Sequence, residues 1–334
     1  MLKNNVSPSS SEEGLAWQPS ATSTTLHKRA HIISTVRKFF AERNVLEVDT
    51  PLMCQHSVTD PHVTGIPAIF QSLGETSEKI MYLQTSPEYA MKRLLASGIG
   101  SIYQITKAFR QGEVGKIHNP EFTMLEWYRI GYDHHALMNE MDELLMLVLS
   151  TLPAERISYT DLFLQQLNVN VHTATLQELK NCAATKNIFL QAEINEKDVW
   201  LDILWTHYIE PKVGQERPLF LYDFPASQAS LAKVRHETPA HASRFEVYFK
   251  GVELANGFHE LQDAEEQKKR FEKDSAYRKQ NHLPEKTIDQ YFLAALNHGL
   301  PDCAGVALGI DRLIMLALGF ERVADVLSFD FSRV

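Results

Sequence analysis

Residues 102–129 read IYQITKAFRQGEVGKIHNPEFTMLEWYR, and this run decides the fold class. Residues 102–110 are strand-like, 111–120 are a polar loop, and 121–129 are strand-like again. Two strands joined this way predict a long-looped antiparallel hairpin. Alternation along the second strand puts Phe122, Met124, Glu126 and Tyr128 on one face. An aromatic ring, a carboxylate and a phenol then line one side of a sheet. Arg110, on the neighbouring strand, is a fork suited to phosphate or carboxylate. The plainer alternative is a hairpin whose Glu and Arg form a cross-strand pair.

Residues 245–260, FEVYFKGVELANGFHE, predict a second hairpin that turns at Lys250-Gly251. Phe249 then pairs with Val252, Tyr248 with Glu253, and Glu246 with Ala255. Glu246 and Glu253 become diagonal neighbours. Two carboxylates that close repel unless a cation sits between them. Oxygen ligands of this type suit Mg2+ bridging to nucleotide phosphates. Two exposed glutamates on the wet side of a sheet are the plainer alternative. Simple alternation sends Asn256, Phe258 and Glu260 to the opposite face. One pocket holding both Glu253 and Glu260 therefore needs a bulge or bend, with Gly257 the expected position.

Residues 305–312, GVALGIDR, run into an apolar helix. A strand, a glycine and then Arg312 at a helix start make an anion site, and Gly309 lets a nucleotide approach the backbone. A capped core helix is the alternative. Ser86-Pro87-Glu88 is a helix start, with Ser as cap, Pro in the first turn and an early Glu favoured by the dipole.

The remaining text bounds the answer. The chain has 334 residues, 44% hydrophobic and 22% charged, with net charge −9. An acidic balance argues against a broad basic face for nucleic acid. No apolar run spans a bilayer, and the N-terminus lacks the apolar core of a secretory signal. Cys54, Cys182 and Cys303 lie far apart, which fits a reducing cytoplasm. There is no Rossmann or P-loop glycine pattern, no HExxH and no GxSxG. Residues 1–25, rich in Ser and Thr, read as a mobile tail, and one catalytic domain is expected over 26–334. Residues 134–215 read as a mostly helical insertion. Strands and helices mix without βαβ alternation, so the fold class is α+β with an antiparallel sheet flanked by helices.

Taken in order, three segments resemble the signature motifs of class II aminoacyl-tRNA synthetases: the long helix, strand and Pro51; residues 109–126; and residues 305–318. HNPEFTMLEWY and ELANGFHEL are most similar to lysyl-tRNA synthetase text. About 25 residues precede the domain, so no anticodon-gripping OB fold is expected. That layout resembles the stand-alone paralogue family that modifies translation elongation factor P. Ala307 agrees: ordinary lysyl-tRNA synthetases have Gly there, and the paralogues have Ala. A methyl-sized change in a pocket is worth about 1–3 kcal/mol of discrimination. Gly112 departs from the family, which usually has Glu there; Glu113 follows it.

The resemblance implies a cytoplasmic, homodimeric, AMP-forming ligase. It would activate (R)-β-lysine with ATP and Mg2+ and pass it to a lysine of elongation factor P, without tRNA. Arg110 and Arg312 would hold phosphate oxygens as the catalytic cations. Gln111, Gly112, Glu113, His118, Asn119, Phe122, Leu254 and Gly309 would surround ATP. Glu246 and Glu253 would hold Mg2+. Ser86, Pro87, Glu88, Glu126, Tyr128, Asn256, Phe258, Glu260 and Ala307 would surround the amino acid. A truncated enzyme acting on tRNA or another acceptor, or a non-catalytic regulatory paralogue, are the alternatives.

Overall fold

The protein is described here by a computed structural model covering residues 17–334. Helix α1 (Ser23–Ala41) begins it, capped by Thr22, whose hydroxyl accepts from the Thr25 amide at 3.2 Å. Short strands β1 (Leu46–Glu47) and β2 (Met53–Cys54) follow, then β3 (Pro67–Gln71), β4 (Glu78–Leu83) and helix α2 (Glu88–Ala96). The predicted hairpin comprises β5 (Ile102–Phe109) and β6 (Glu121–Ile130), paired antiparallel from Ile102↔Tyr128 to Phe109↔Glu121. Helix α3 (His134–Leu149), strand β7 (Glu155–Ser158) and helices α4 (Tyr159–Leu167), α5 (Leu176–Thr185) and α6 (Lys197–Leu204) come next. Then come β8 (Leu219–Pro225), β9 (Val234–Arg235), β10 (His241–Phe249), β11 (Val252–His259), α7 (Ala264–Gln280), α8 (Gln290–Gly299), β12 (Cys303–Gly309) and α9 (Ile310–Ala317).

The main sheet runs β1-β5-β6-β12-β11-β10-β8-β7, with β9 beside β10. Pairs β1·β5 and β7·β8 are parallel; the other pairs are antiparallel. This is the expected α+β architecture. Alternation gives the sheet two different faces. Leu125, Trp127, Phe245, Val247, Val306 and Leu308 point into a core shared with α1, α3 and α9. The intervening residues, among them Glu126, Tyr128, Gly305 and Ala307, form the other face. A second cluster gathers α4, α5 and α6 against β8, and a third packs α2 against α8.

Two sequence expectations change. Residues 1–16 of the expected tail lie outside the described residues. Residues 20–25 are held in place: the Ser20 and Ala21 amides donate to Ser328 O at 2.8 Å and Leu327 O at 3.0 Å, and the helix starts at Ser23. The Ser and Thr text there is capping text, and its partners come from the far end of the chain. The 134–215 segment is also not one unit. Leu137, Met138, Met141 and Leu144 of α3 belong to the main core, and the separate helical cluster begins at Tyr159.

Candidate active site

The site lies on the polar face of β6, β12 and β11. Its floor consists of small residues. Gly305 pairs with Tyr128 and Phe258, and Ala307 with Glu126 and Asn256. A Cβ on Gly305 would stand 2.5 Å from Glu260 Oε1 and closer still to the Tyr128 ring. Glycine there is a packing requirement of the pocket, not of the backbone.

At one end three carboxylates converge. Glu126 is buried on β6; Ser86 Oγ donates to it at 2.7 Å and Tyr128 Oη at 2.6 Å. Ser86 also accepts from the Glu88 amide at 3.1 Å. Pro87, rather than Ser86, occupies the cap position of α2, and the Ser86 hydroxyl accepts from the Glu88 amide while its proton orients Glu126. Glu260 is 1% exposed and pairs with Lys92 Nζ at 2.6 Å. Lys92, one turn along α2 from Glu88, also pairs with Glu88. Burial pushes the Glu126 carboxyl up to about 8, with Glu88 adding to it. Burial likewise pushes Glu260 up to about 7, against the pull of Lys92. Lys92 is a site residue missed in the sequence; its i,i+4 spacing from Glu88 was the available signal.

The other end is cationic and aromatic. The Arg110 guanidinium lies 5.2 Å from the Phe122 ring centroid. Gly112 takes φ +84, a turn conformation open to glycine, and Glu113 comes to 3.6 Å from Arg110. Arg312, in the first turn of α9, donates Nε to Ile117 O at 3.1 Å and Nη1 to Glu253 O at 2.8 Å. Its Nη2 donates to His118 Nε2 at 2.7 Å. Burial and then Arg312 lower the His118 pKa, so the ring accepts this bond in its neutral form. Asn119 is committed elsewhere: Nδ2 donates to Glu121 O at 2.6 Å and Oδ1 accepts from the Phe331 amide at 2.9 Å. A nucleotide contact would compete with both bonds. Gln111 has an exposed side chain and is tied through its backbone amide to Thr64 O at 2.8 Å. Gly309 caps α9 with ordinary φ, and the atoms nearest a built Cβ are Arg312 carbons, the first at 3.8 Å.

The second hairpin joins these ends, with one correction. Phe249 pairs with Val252 and Tyr248 with Glu253 as expected, but Glu246 pairs with Asn256, not Ala255. The register shifts between Val247 and Tyr248, leaving Leu254 as the extra residue. The bulge is therefore at Leu254, three residues before the expected Gly257. Gly257 faces the core, where an added Cβ would stand 2.5 Å from two Phe245 ring carbons. One extra residue reverses the parity of the strand. Arg244, Glu246, Tyr248, Glu253, Asn256 and Phe258 now share one face, while Leu254 and Ala255 enter the core. Arg244, a second missed residue, donates to Glu246 and, at 3.3 Å, to Asn256 Oδ1.

The donor set at Glu246 and Glu253 fits Mg2+. Both are oxygen donors on one face. Burial first, and Glu246 second, push the Glu253 carboxyl up, while Arg312, Arg110 and Arg244 pull it down. Among the described residues, Glu246 is held by Arg244 and Tyr248 Oη, and no hydrogen bond to the Glu253 carboxylate is present.

A family model of class II tRNA synthetases (D, K and N) matches residues 11–333. The chain belongs to this family. Among relatives of this class II synthetase, a Vibrio cholerae protein is 54% identical over 318 residues, covering 95% of this chain and 98% of its own. One from Edwardsiella ictaluri is 52% identical over 319 residues, with 95% and 98% coverage. One from Salmonella arizonae is 51% identical over 322 residues, with 96% and 99% coverage. All three are named elongation factor P–(R)-β-lysine ligase.

Proposed function

We propose that this class II synthetase uses ATP to activate (R)-β-lysine as its adenylate and transfers it to a lysine side chain of elongation factor P. The observation that carries the reading is the pocket's polarity. Buried carboxylates at Glu126 and Glu260 lie at one end of the site, and at the other lie the guanidinium groups of Arg110, against Phe122 of β6, and Arg312, against the Glu253 carbonyl of β11. A molecule with ammonium groups at one end and an acyl phosphate at the other matches that order of charge.

The chemistry needs no protein nucleophile. A substrate carboxylate oxygen attacks the α-phosphorus of ATP, a new P–O bond forms, and the bond to pyrophosphate breaks. Arg110 and Arg312 neutralise charge that grows on the phosphate oxygens. Phe122 offers its ring to adenine, and His118 braces Arg312. Glu246 and Glu253 would hold Mg2+, which supplies charge neutralisation at the phosphates. Glu88, Glu126 and Glu260 orient the two ammonium groups, and so aim the carboxylate. In the second step the acceptor ε-amine attacks the acyl carbon, AMP leaves, and the amine gives up a proton.

The homodimer and the cytoplasmic location are parts of the same reading. The first motif supports the dimer, and a translation factor as acceptor supports the location. Among the described residues no helix is long and apolar enough to cross a membrane. The test is intact-mass spectrometry of elongation factor P incubated with enzyme, ATP, Mg2+ and α- or (R)-β-lysine. An added lysyl mass, formed faster from the β-isomer, is expected. Loading of tRNA with no mass gained by the factor would overturn the acceptor assignment.

A further inference from the structure

Lys92 has no part in the steps above, yet it is the most deeply buried cation of the pocket. Its side chain is 2% exposed and lies between Glu88, 18% exposed, and Glu260, 1% exposed. Nζ sits 5.7 Å from the Phe292 ring centroid of α8, so the stem runs through the apolar contact of α2 and α8. Glu260 divides its oxygens: Oε2 meets Lys92, while Oε1 borders the pocket floor at Gly305. A buried ammonium is costly alone and stable between two carboxylates. Burial lowers the Lys92 pKa, but Glu260 and Glu88 together outweigh it and raise the value. Lys92 therefore keeps its charge and serves neither as nucleophile nor as proton donor.

The groups facing this cluster leave a short list of charges. Glu88 and Lys92 come from α2, Glu126 from β6 and Glu260 from the end of β11. Tyr89 of α2 and Tyr128 of β6 have pKa values raised well above normal by burial. Cys303 of β12 is likewise pushed far up by burial. All three are neutral. Three carboxylates and one fixed ammonium remain.

We propose that Lys92 is a positioning residue that sets the charge of the amino-acid pocket, leaving two carboxylates for the substrate to neutralise. The pocket thereby selects an amino acid with two ammonium groups over one with a single ammonium group. This rests on the amino-acid activation proposed above and adds the residue that sets its charge requirement. Without Lys92 a third carboxylate would be left over, and carboxylates crowded without a cation take up protons.

The pH dependence follows. Glu126 and Glu260, raised to about 8 and about 7, hold protons below those values and lose them above. A dication binds the ionised form, so affinity rises with pH through that window and binding expels protons. Lys92 lowers both carboxyls. Lys92→Met should therefore move the window upward. Each pH unit of movement costs about 10-fold in affinity on the acid side, per proton released, and the loss should be recovered at high pH.

The experiment measures diamino acid binding by calorimetry and KM by ATP–pyrophosphate exchange from pH 6 to 9.5, for wild type and Lys92→Met. Wild-type calorimetry in buffers of different ionisation enthalpy should show net proton release near pH 7.5, a result that does not depend on the variant folding. An upward shift of the pH midpoint in Lys92→Met supports the proposal. An equal loss at every pH, or no proton release in wild type, overturns it. So does activation of a monoamino acid such as leucine as readily as lysine, while leaving adenylation intact. No exchange with any amino acid would overturn both this proposal and the function it rests on.

Discussion

Two glycines on opposite faces of the sheet provide a sharp test of the site assignment. Gly305 and Gly257 lie on adjacent strands, β12 and β11. A methyl on Gly305 would collide with the Tyr128 ring and come to 2.5 Å from Glu260 Oε1. A methyl on Gly257 would collide with the Phe245 ring and come to 2.9 Å from Val306 Cβ. Overpacking of this kind costs about 1–3 kcal/mol. In Gly305→Ala the cost falls on Tyr128 and Glu260, which bound the proposed amino-acid pocket. The KM for lysine should rise by about 5- to 150-fold, at about tenfold per 1.4 kcal/mol. The KM for ATP should change little, because Arg110, Phe122 and Arg312 are untouched. In Gly257→Ala the cost falls on the core, so the melting temperature should drop several degrees while the KM for lysine in the folded fraction stays near wild type. Pyrophosphate exchange and thermal melts on the two variants read both quantities. Equal effects on KM, or a Gly305→Ala enzyme with unchanged KM for lysine, would refute the placement of the amino acid over β12.

Three further outcomes are expected. Glu253→Gln should lower ATP–pyrophosphate exchange by about 100-fold or more and raise the Mg2+ concentration needed for half-maximal rate; an unchanged Mg2+ requirement would remove Glu253 from the metal site. Ala307→Gly takes a methyl from the floor between Glu126 and Asn256 and should raise activity with α-lysine relative to the β-isomer, by up to about 1–3 kcal/mol in discrimination. Unchanged substrate ratios in a competition assay would count against it. Glu126 and Glu260 titrate above their ordinary value of 4.5 in the native state, so the folded enzyme binds more protons than the unfolded chain between that value and about 8. Their contribution to stability is then greatest at acid pH and is lost as pH rises through the folded pKa values. A saturating diamino acid should raise the melting temperature more at pH 8 than at pH 6, and an equal gain at both would reject the linkage.

Local text carried most of the fold. The β5–β6 hairpin was legible because its strands are long and alternating, and its polar loop has no competing periodicity. Strands β3, β4, β7 and β8 were not, since none has a period-2 pattern to count: β3 and β4 are largely exposed, β7 is short, and β8 is mostly buried. The carboxylates of the site were legible as residue types, but their counter-ions were not. Lys92 and Arg244 look like ordinary helix and strand charges until the sheet buries them. The tie from Ser20 and Ala21 to residues 327–328 joins the two ends of the described chain, a contact no local window contains.

The Leu254 bulge explains why so much of the site depends on one backbone irregularity. In a regular β11, Glu253 and Asn256 would point to opposite faces. If Glu253 faced the pocket, Asn256 would enter the core beside Phe245 and Val306, at the cost of a buried amide without partners. If Asn256 faced the pocket, a carboxylate would enter the core instead, which is worse. The extra residue avoids both outcomes by sending Leu254 and Ala255 inward together. It also leaves the Glu253 carbonyl available to Arg312 Nη1 at 2.8 Å. The bulge in β11 thus both turns Glu253 towards Glu246 of β10 and braces Arg312, so straightening it would disturb the proposed metal pair and the proposed phosphate-binding arginine together.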